Sequence, residues 1–196
     1  MTLPTQLSLL RILLTFIIIG LLFLPGPMPK AAALSGFLLA SLTDWLDGYL
    51  ARRLGQASAF GAIIDPIADK VLTLGLFGMF VWLQLMPLWM AAVIAVREIV
   101  ITGVRLVALR RRVVLAAASE GKQKMVSQVV CIIVLLAICW LRAWPGHTRL
   151  SADVLAAIDA TAAVFRWITV GLTAFSGLLF FYRHRAVLRR MVAPSA

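Results

Sequence analysis

Between residues 44 and 69 the chain carries four aspartates, Asp44, Asp47, Asp65 and Asp69, within two largely apolar segments. A charge at the centre of a membrane helix costs about 2.5–3.5 kcal/mol, so four acids in such a setting call for a compensating partner. A helix over 31–53 puts Asp44, Asp47, Gly48 and Ala51 at i, i+3, i+4 and i+7, one narrow face of two acids beside two very small residues. Small residues there let a ligand approach the backbone. A second helix beginning near Ala59 would align Gly61, Asp65 and Asp69 at every fourth position. At about 1.5 Å per residue, Asp44 and Asp47 lie about 12 and 7.5 Å below Arg52, and Asp69 and Asp65 about 12 and 6 Å beyond Gly61. The levels match in pairs, and the short connection predicts that the two helices are antiparallel neighbours. No His or Cys stands nearby, so the donor set is oxygen only and suits two Mg²⁺ or Mn²⁺ ions. Two such ions would neutralise the acids and polarise a phosphoryl group.

The elements that must position these acids are membrane spans. Of 196 residues, 62% are hydrophobic and only 14% charged, and the mean hydropathy is +0.99. That excludes an ordinary soluble domain. The pattern predicts an all-α polytopic membrane protein, a single domain over 1–196, with a short interfacial segment at 1–7 and six transmembrane helices at about 8–24, 31–53, 59–84, 87–109, 124–142 and 160–182. The first run is read as a span and not a removable leader, because Arg11 lies inside it and no small-residue cleavage site follows directly. Three prolines and a glycine in LPGPMPK end it. Pro66 either bends the third span between Asp65 and Asp69 or sits in its tolerant first turns. Residues 113–119 form an interfacial link, and 141–160 a loop with a possible surface helix. Cys131 and Cys139 read as buried small hydrophobes, and His147 and His184 stand alone at membrane edges.

Net charge is +11, yet the basic residues cluster at segment ends, which fits topology and anionic headgroups and not nucleic acid. An inside amino terminus puts Arg52, Arg53, Arg105, Arg110, Arg111, Arg112, Lys122, Lys124, Arg183, Arg185, Arg189 and Arg190 on the cytoplasmic side, against Lys30, Arg142 and Arg149 outside. The bias fixes the orientation and opens the acids towards the cytoplasm. Arg97, Glu98 and Arg105 form a second group of intramembrane charge. Arg97 and Glu98 are adjacent and should point to separate partners. A transporter could also bury acids in a membrane, but the chain lacks the internal two-half symmetry many transporters show.

The window fits, without a gap, the pattern D-x₂-D-G-x₂-A-R-x₈-G-x₃-D-x₃-D, here Asp44, Asp47, Gly48, Ala51, Arg52, Gly61, Asp65 and Asp69. In this it resembles the CDP-alcohol phosphotransferase family, and the resemblance extends over roughly residues 4–182. The opening also resembles the family, with Pro4, Leu7 and Arg11 in place but Thr5 and Ser8 where the pattern has Asn and Thr. The resemblance implies the family fold, Asp44, Asp47 and Asp65 as the main metal ligands, and Asp69 as both partial ligand and general base. It implies a CDP site at Asp47, Gly48, Ala51, Arg52 and Gly61.

The D-P-I-A-D-K beginning at Asp65 and the R-E-I beginning at Arg97 look like the branch of the family that makes phosphatidylglycerophosphate. The expected substrates are therefore CDP-diacylglycerol and glycerol 3-phosphate. Arg97, Arg105, Lys122 and Lys124, with Arg11, are the candidates for gripping the acceptor's phosphate. The alternative acceptors are phosphatidylglycerol, as in cardiolipin synthesis, or inositol phosphate. The resemblance also implies a homodimer, among membrane lipids, in the inner (cytoplasmic) membrane.

Overall fold

Glycine and proline place the first helix boundary more tightly than the sequence pattern suggests. Helix α1 (Leu3–Phe23) stops before Gly26, whose φ of 90° is a left-handed conformation open to a residue without Cβ, and α2 (Pro27–Leu54) starts at the next residue. Pro27 and Pro29 lie in the first turn of α2, where a missing N–H costs nothing. The turn is therefore much shorter than LPGPMPK. Lys30 donates to the carbonyls of Leu22 and of Leu24, the latter at 2.7 Å, and so satisfies acceptors left over at the end of α1.

In this computed structural model the backbone is described for residues 3–54, 61–110, 119–147 and 150–192, and side chains for 9–43, 67–108, 123–147, 150–185 and 187–188. The remaining helices are α3 (Gly61–Trp82), α4 (Leu88–Arg110), α5 (Ser119–Ala143) and α6 (Ala152–Val192), with no strand among the described residues. The expected helical segments are all present, with three revisions. Residues 3–7 are not a separate interfacial piece but the first turns of α1. The surface helix expected within 141–160 is not separate either: α6 runs unbroken through 41 residues, so only residues 144–151 connect it to α5. Arg142 and Asp159 form an ion pair across that connection. Helix α3 runs unbroken through Pro66. The link at 113–119 falls almost wholly outside the described residues.

The third revision concerns neighbours. Helix α1 packs against both α2 and α3, and α5 touches both, but α2 and α3 make no contact with each other among the described residues. Two glycines explain the wedge: Ile18 of α1 presses where a Cβ on Gly36 of α2 would lie 3.2 Å from it, and Ile19 of α1 does the same against Gly75 of α3. Helix directions follow from the same contacts. Lys30 meets Leu22 and Leu24, and the Phe23 and Trp82 rings meet edge-on at 6.4 Å, so the start of α2 and the end of α3 share one end of the bundle with the end of α1. The acid-bearing ends of α2 and α3 therefore share the opposite end.

That first end is held by an apolar core including Ile18, Leu22, Phe37, Leu76, Phe77, Phe80, Met86 and Leu136. Cys131 and Cys139 are free thiols buried within it. The bundle keeps an apolar core yet also exposes large apolar side chains and buries several polar and charged ones. Phe16, Trp82, Leu178 and Tyr182 are more than half exposed, while Arg11, Glu98, Lys124, Gln128, Thr169 and Thr173 are buried. Two described segments, Gln123–Ala143 and Ala152–Arg185, are long and apolar enough to cross a membrane.

Candidate active site

Helix geometry places the acids by level. Asp47 is about 25 Å along α2 from Lys30 and Asp65 about 25 Å back along α3 from Trp82, while Asp44 and Asp69 are about 21 and 20 Å from the same marks. By this ideal rise Asp44 pairs in level with Asp69 and Asp47 with Asp65, as in the sequence. Asp44, Asp47, Gly48, Ala51 and Arg52 ride on the last turns of α2, and Gly61 and Asp65 on the first turns of α3. Their side chains lie outside the described residues, as does that of Lys122 on α5. Asp69 is described and is 31% exposed, with Oδ2 3.2 Å from Lys70 Nζ. Among the described residues Oδ1 has no hydrogen-bond partner. The donor chemistry, four carboxylates and no softer ligand, fits hard divalent cations.

One turn deeper in organisation, though not in sequence, lies a carboxylate that the spacing did not mark as a site residue. Glu98 of α4 is 1% exposed and gathers cations from three helices. Its Oε2 is 2.5 Å from Lys70 Nζ of α3. Its Oε1 accepts from Lys124 of α5, from Arg97 at 3.2 Å and from Gln128 Nε2 at 3.3 Å. A buried carboxylate is tolerable only when its lone pairs are met in this way. Three cations surround Glu98 and Asp69, so the described cluster retains surplus positive charge facing the end of the bundle that carries the acids.

Arg97 and Glu98 have the separate partners expected, Ser176 of α6 for the one and Lys70 and Lys124 for the other, but they also touch each other. The long Arg97 side chain turns back to Glu98 and also donates from Nη2 to Ser176 Oγ of α6 at 3.1 Å. Its aliphatic stem lies against Gly177, where an added Cβ would sit 3.1 Å from Arg97 Cγ. On its outer flank it borders an open groove of about 500 Å³ between α4 and α6, with Val93, Val96, Val100, Leu178 and Phe181. Arg105 is not in the Glu98 cluster: it is exposed, with its guanidinium 5.6 Å from the Phe180 ring centre. Arg11 is 4% exposed on α1, and its carbonyl accepts from Thr15 Oγ1 at 2.8 Å. The structure thus brings Arg97 and Lys124 together around Glu98 and leaves Arg105 on the α6 side.

Lys70, Gln128 and Ser176 were missed as site residues. Lys70 closes the D-P-I-A-D-K run, and Gln128 stands one turn after Lys124 on an otherwise apolar helix. Those two signals were available; Ser176 offered none. His147 and His184 have ring nitrogens near helical carbonyls, at 3.1 Å from Trp144 O and 2.9 Å from Phe180 O.

Comparison with known proteins places the chain in a family. The sequence model of the CDP-alcohol phosphatidyltransferase family matches residues 1–175. A CDP-diacylglycerol–glycerol-3-phosphate 3-phosphatidyltransferase of Bacillus subtilis (strain 168) is 32% identical over 95% of this chain and 97% of its own length. Proteins of the same name from Pseudomonas fluorescens and Escherichia coli (strain K12) are 40% and 37% identical, covering 70% and 68% of this chain and 73% and 75% of their own.

Proposed function

Because the chain belongs to the CDP-alcohol phosphatidyltransferase family, it is a phosphatidyltransferase, and we propose that its reaction moves the phosphatidyl group of CDP-diacylglycerol to glycerol 3-phosphate. The products are phosphatidylglycerophosphate and CMP. The observation that carries this reading is the ungapped eight-position pattern from Asp44 to Asp69, borne on ends of α2 and α3 that share one end of the bundle. The relatives' common name supports the acceptor.

Asp44, Asp47, Asp65 and Asp69 would hold two Mg²⁺ or Mn²⁺ ions, which when bound supply positive charge beside the phosphoryl oxygens. Gly48, Ala51 and Gly61 leave room for the nucleotide next to Asp47 and Arg52. Asp69 takes the proton of the acceptor hydroxyl. The freed oxygen attacks the phosphorus nearest the diacylglycerol, a new P–O bond forms, and the bond to CMP breaks in line. Lys124 and Arg97, with Arg105, Lys122 and Arg11, supply the positive surroundings for the acceptor's own phosphate. Six spans are proposed from the apolar runs and the inner membrane from resemblance, and the charge bias puts both termini and the site on the cytoplasmic side. Large apolar side chains facing outward support a membrane setting. The homodimer is proposed from resemblance alone.

The test is CMP release by the purified protein in detergent, with CDP-diacylglycerol, labelled glycerol 3-phosphate and Mg²⁺ or Mn²⁺. Competing unlabelled phosphatidylglycerol or inositol phosphate should leave the label's incorporation unchanged. No CMP with any polyol phosphate would end the reading.

A further inference from the structure

Lys70 is an ammonium shared by two carboxylates, and it is shared unequally. Its Nζ lies 2.5 Å from Glu98 Oε2 but 3.2 Å from Asp69 Oδ2. Asp69 is its immediate neighbour on α3, and an ammonium–carboxylate contact closes to about 2.7–2.9 Å when nothing else competes for it. Glu98 is the competitor. It reaches Lys70 from α4, and its orientation is fixed because Oε1 is occupied by Lys124, Arg97 and Gln128, which leaves Oε2 for Lys70.

We infer that Glu98 is a positioning residue for the transfer: by holding Lys70 it keeps that ammonium from closing on Asp69, so that Asp69 stays available to the acceptor hydroxyl and to a divalent ion. The role presupposes Asp69 as the base, as proposed above. A carboxylate that only held helices together would, once neutralised, leave Lys70 short of a partner, so removing Lys70 as well would restore melting temperature and leave turnover per folded molecule unchanged throughout. A carboxylate that restrains Lys70 predicts that kcat per folded molecule falls in the single variant and recovers in the double, because with Lys70 gone there is nothing left to restrain.

The experiment measures kcat and both KM values for wild type, Asp69→Asn, Glu98→Gln, Lys70→Met and the Lys70→Met/Glu98→Gln double variant, each purified and folded in detergent. Glu98→Gln should lose about 100-fold in kcat, the scale of a displaced general base, with the KM for CDP-diacylglycerol within about three-fold of wild type. Lys70→Met alone should lose less than about ten-fold, and the double variant should recover at least about ten-fold over Glu98→Gln, a coupling typical of residues in direct contact. A second readout does not depend on turnover: the Mn²⁺ concentration giving half-maximal thermal stabilisation should rise in Glu98→Gln and fall back in the double variant. If Glu98→Gln does not fold, Glu98→Asp, which withdraws the carboxylate by one methylene, should show the same pattern in smaller degree. A wild type that releases no CMP, or an Asp69→Asn variant with normal turnover, would sink the proposed function or the base assignment. With those two controls behaving, wild-type kcat in Glu98→Gln or no recovery in the double variant overturns the role of Glu98 alone.

Discussion

The proposed grip of Arg97 on the acceptor phosphate can be tested without touching a charge. Gly177 gives the Arg97 stem its place: a Cβ added there would stand 3.1 Å from Arg97 Cγ, whereas relaxed carbon contacts begin near about 3.5 Å. Cγ is close to the backbone, so the side chain cannot avoid the clash by moving only its tip. Gly177→Ala should therefore push Arg97 by about 0.4 Å. The bond from Arg97 Nη2 to Ser176 Oγ, now 3.1 Å, would stretch to the edge of useful hydrogen-bonding distance. Losing such a bond costs about 1 kcal/mol, which as a binding change is about five-fold in KM for glycerol 3-phosphate. Gly177→Val, with two further methyls, should exceed ten-fold. The assay is CMP release against glycerol 3-phosphate concentration at saturating CDP-diacylglycerol, with a parallel titration of the lipid whose KM should stay put. Unchanged acceptor KM in both variants, while Arg97→Ala raises it, would show that the stem is not held against Gly177 as described. Unchanged KM in all three would remove Arg97 from acceptor binding.

Asp69→Asn should fold and keep most of its affinity for CDP-diacylglycerol but lose at least about 100-fold in kcat, read as CMP release alongside nucleotide binding by thermal shift. Chelation of divalent cations should abolish turnover, and added Mg²⁺ or Mn²⁺ should restore it; full activity in excess chelator would refute the carboxylate assignment. Gly75→Leu should lower thermal stability in detergent, because a Cβ there meets Ile19 at 3.2 Å and Thr15 at 3.5 Å and overpacking of this kind costs about 1–3 kcal/mol. An unchanged melting temperature would mean that α1 does not wedge against α3 at that point.

Much of the architecture was readable from the order of residues because lipid makes composition informative. A run of apolar residues long enough to span predicts a helix whatever its neighbours do, and each expected span has a helix within it. The boundaries were less legible. Pro27 and Pro29 look like breakers in a string but are harmless once the helix starts beneath them, and the polar residues Ser151, Asp153 and Asp159 suggested a loop where α6 has already begun. The packing order was not legible at all. Gly36 and Gly75 give no pattern of their own, yet they are the notches that admit α1 between α2 and α3. The site divides similarly. The eight-position pattern is local and was found, whereas Glu98 gathers Lys70, Lys124 and Gln128 from two other helices, a relation no periodicity encodes. Arg97 and Glu98 do find separate partners, but their contact with each other was not legible, because helix-face reasoning follows Cβ directions and ignores how far an arginine can turn back.

The two halves of the bundle are held by different physics, and the difference bears on what substitutions can do. Towards the end where α1 stops and α2 starts, Phe37, Phe77, Phe80 and Leu136 pack with little exposure, and Lys30 caps the turn. Arg166 secures that end from outside by donating to the Leu85 carbonyl between α3 and α4. Towards the other end, α3, α4 and α5 meet through Lys70, Glu98 and Lys124, and α6 joins through Arg97 and Ser176. In lipid an apolar contact gains little over the same contact with an acyl chain, so polar groups inside a bundle carry more of its specificity. On the proposed function the charged half would be both cement and reaction vessel, and a change that loosens Glu98 would free Lys70 towards Asp69. Substitutions in the apolar half should accordingly appear as lost melting temperature with normal turnover per folded molecule, and those around Glu98 as lost turnover with a smaller change in melting temperature.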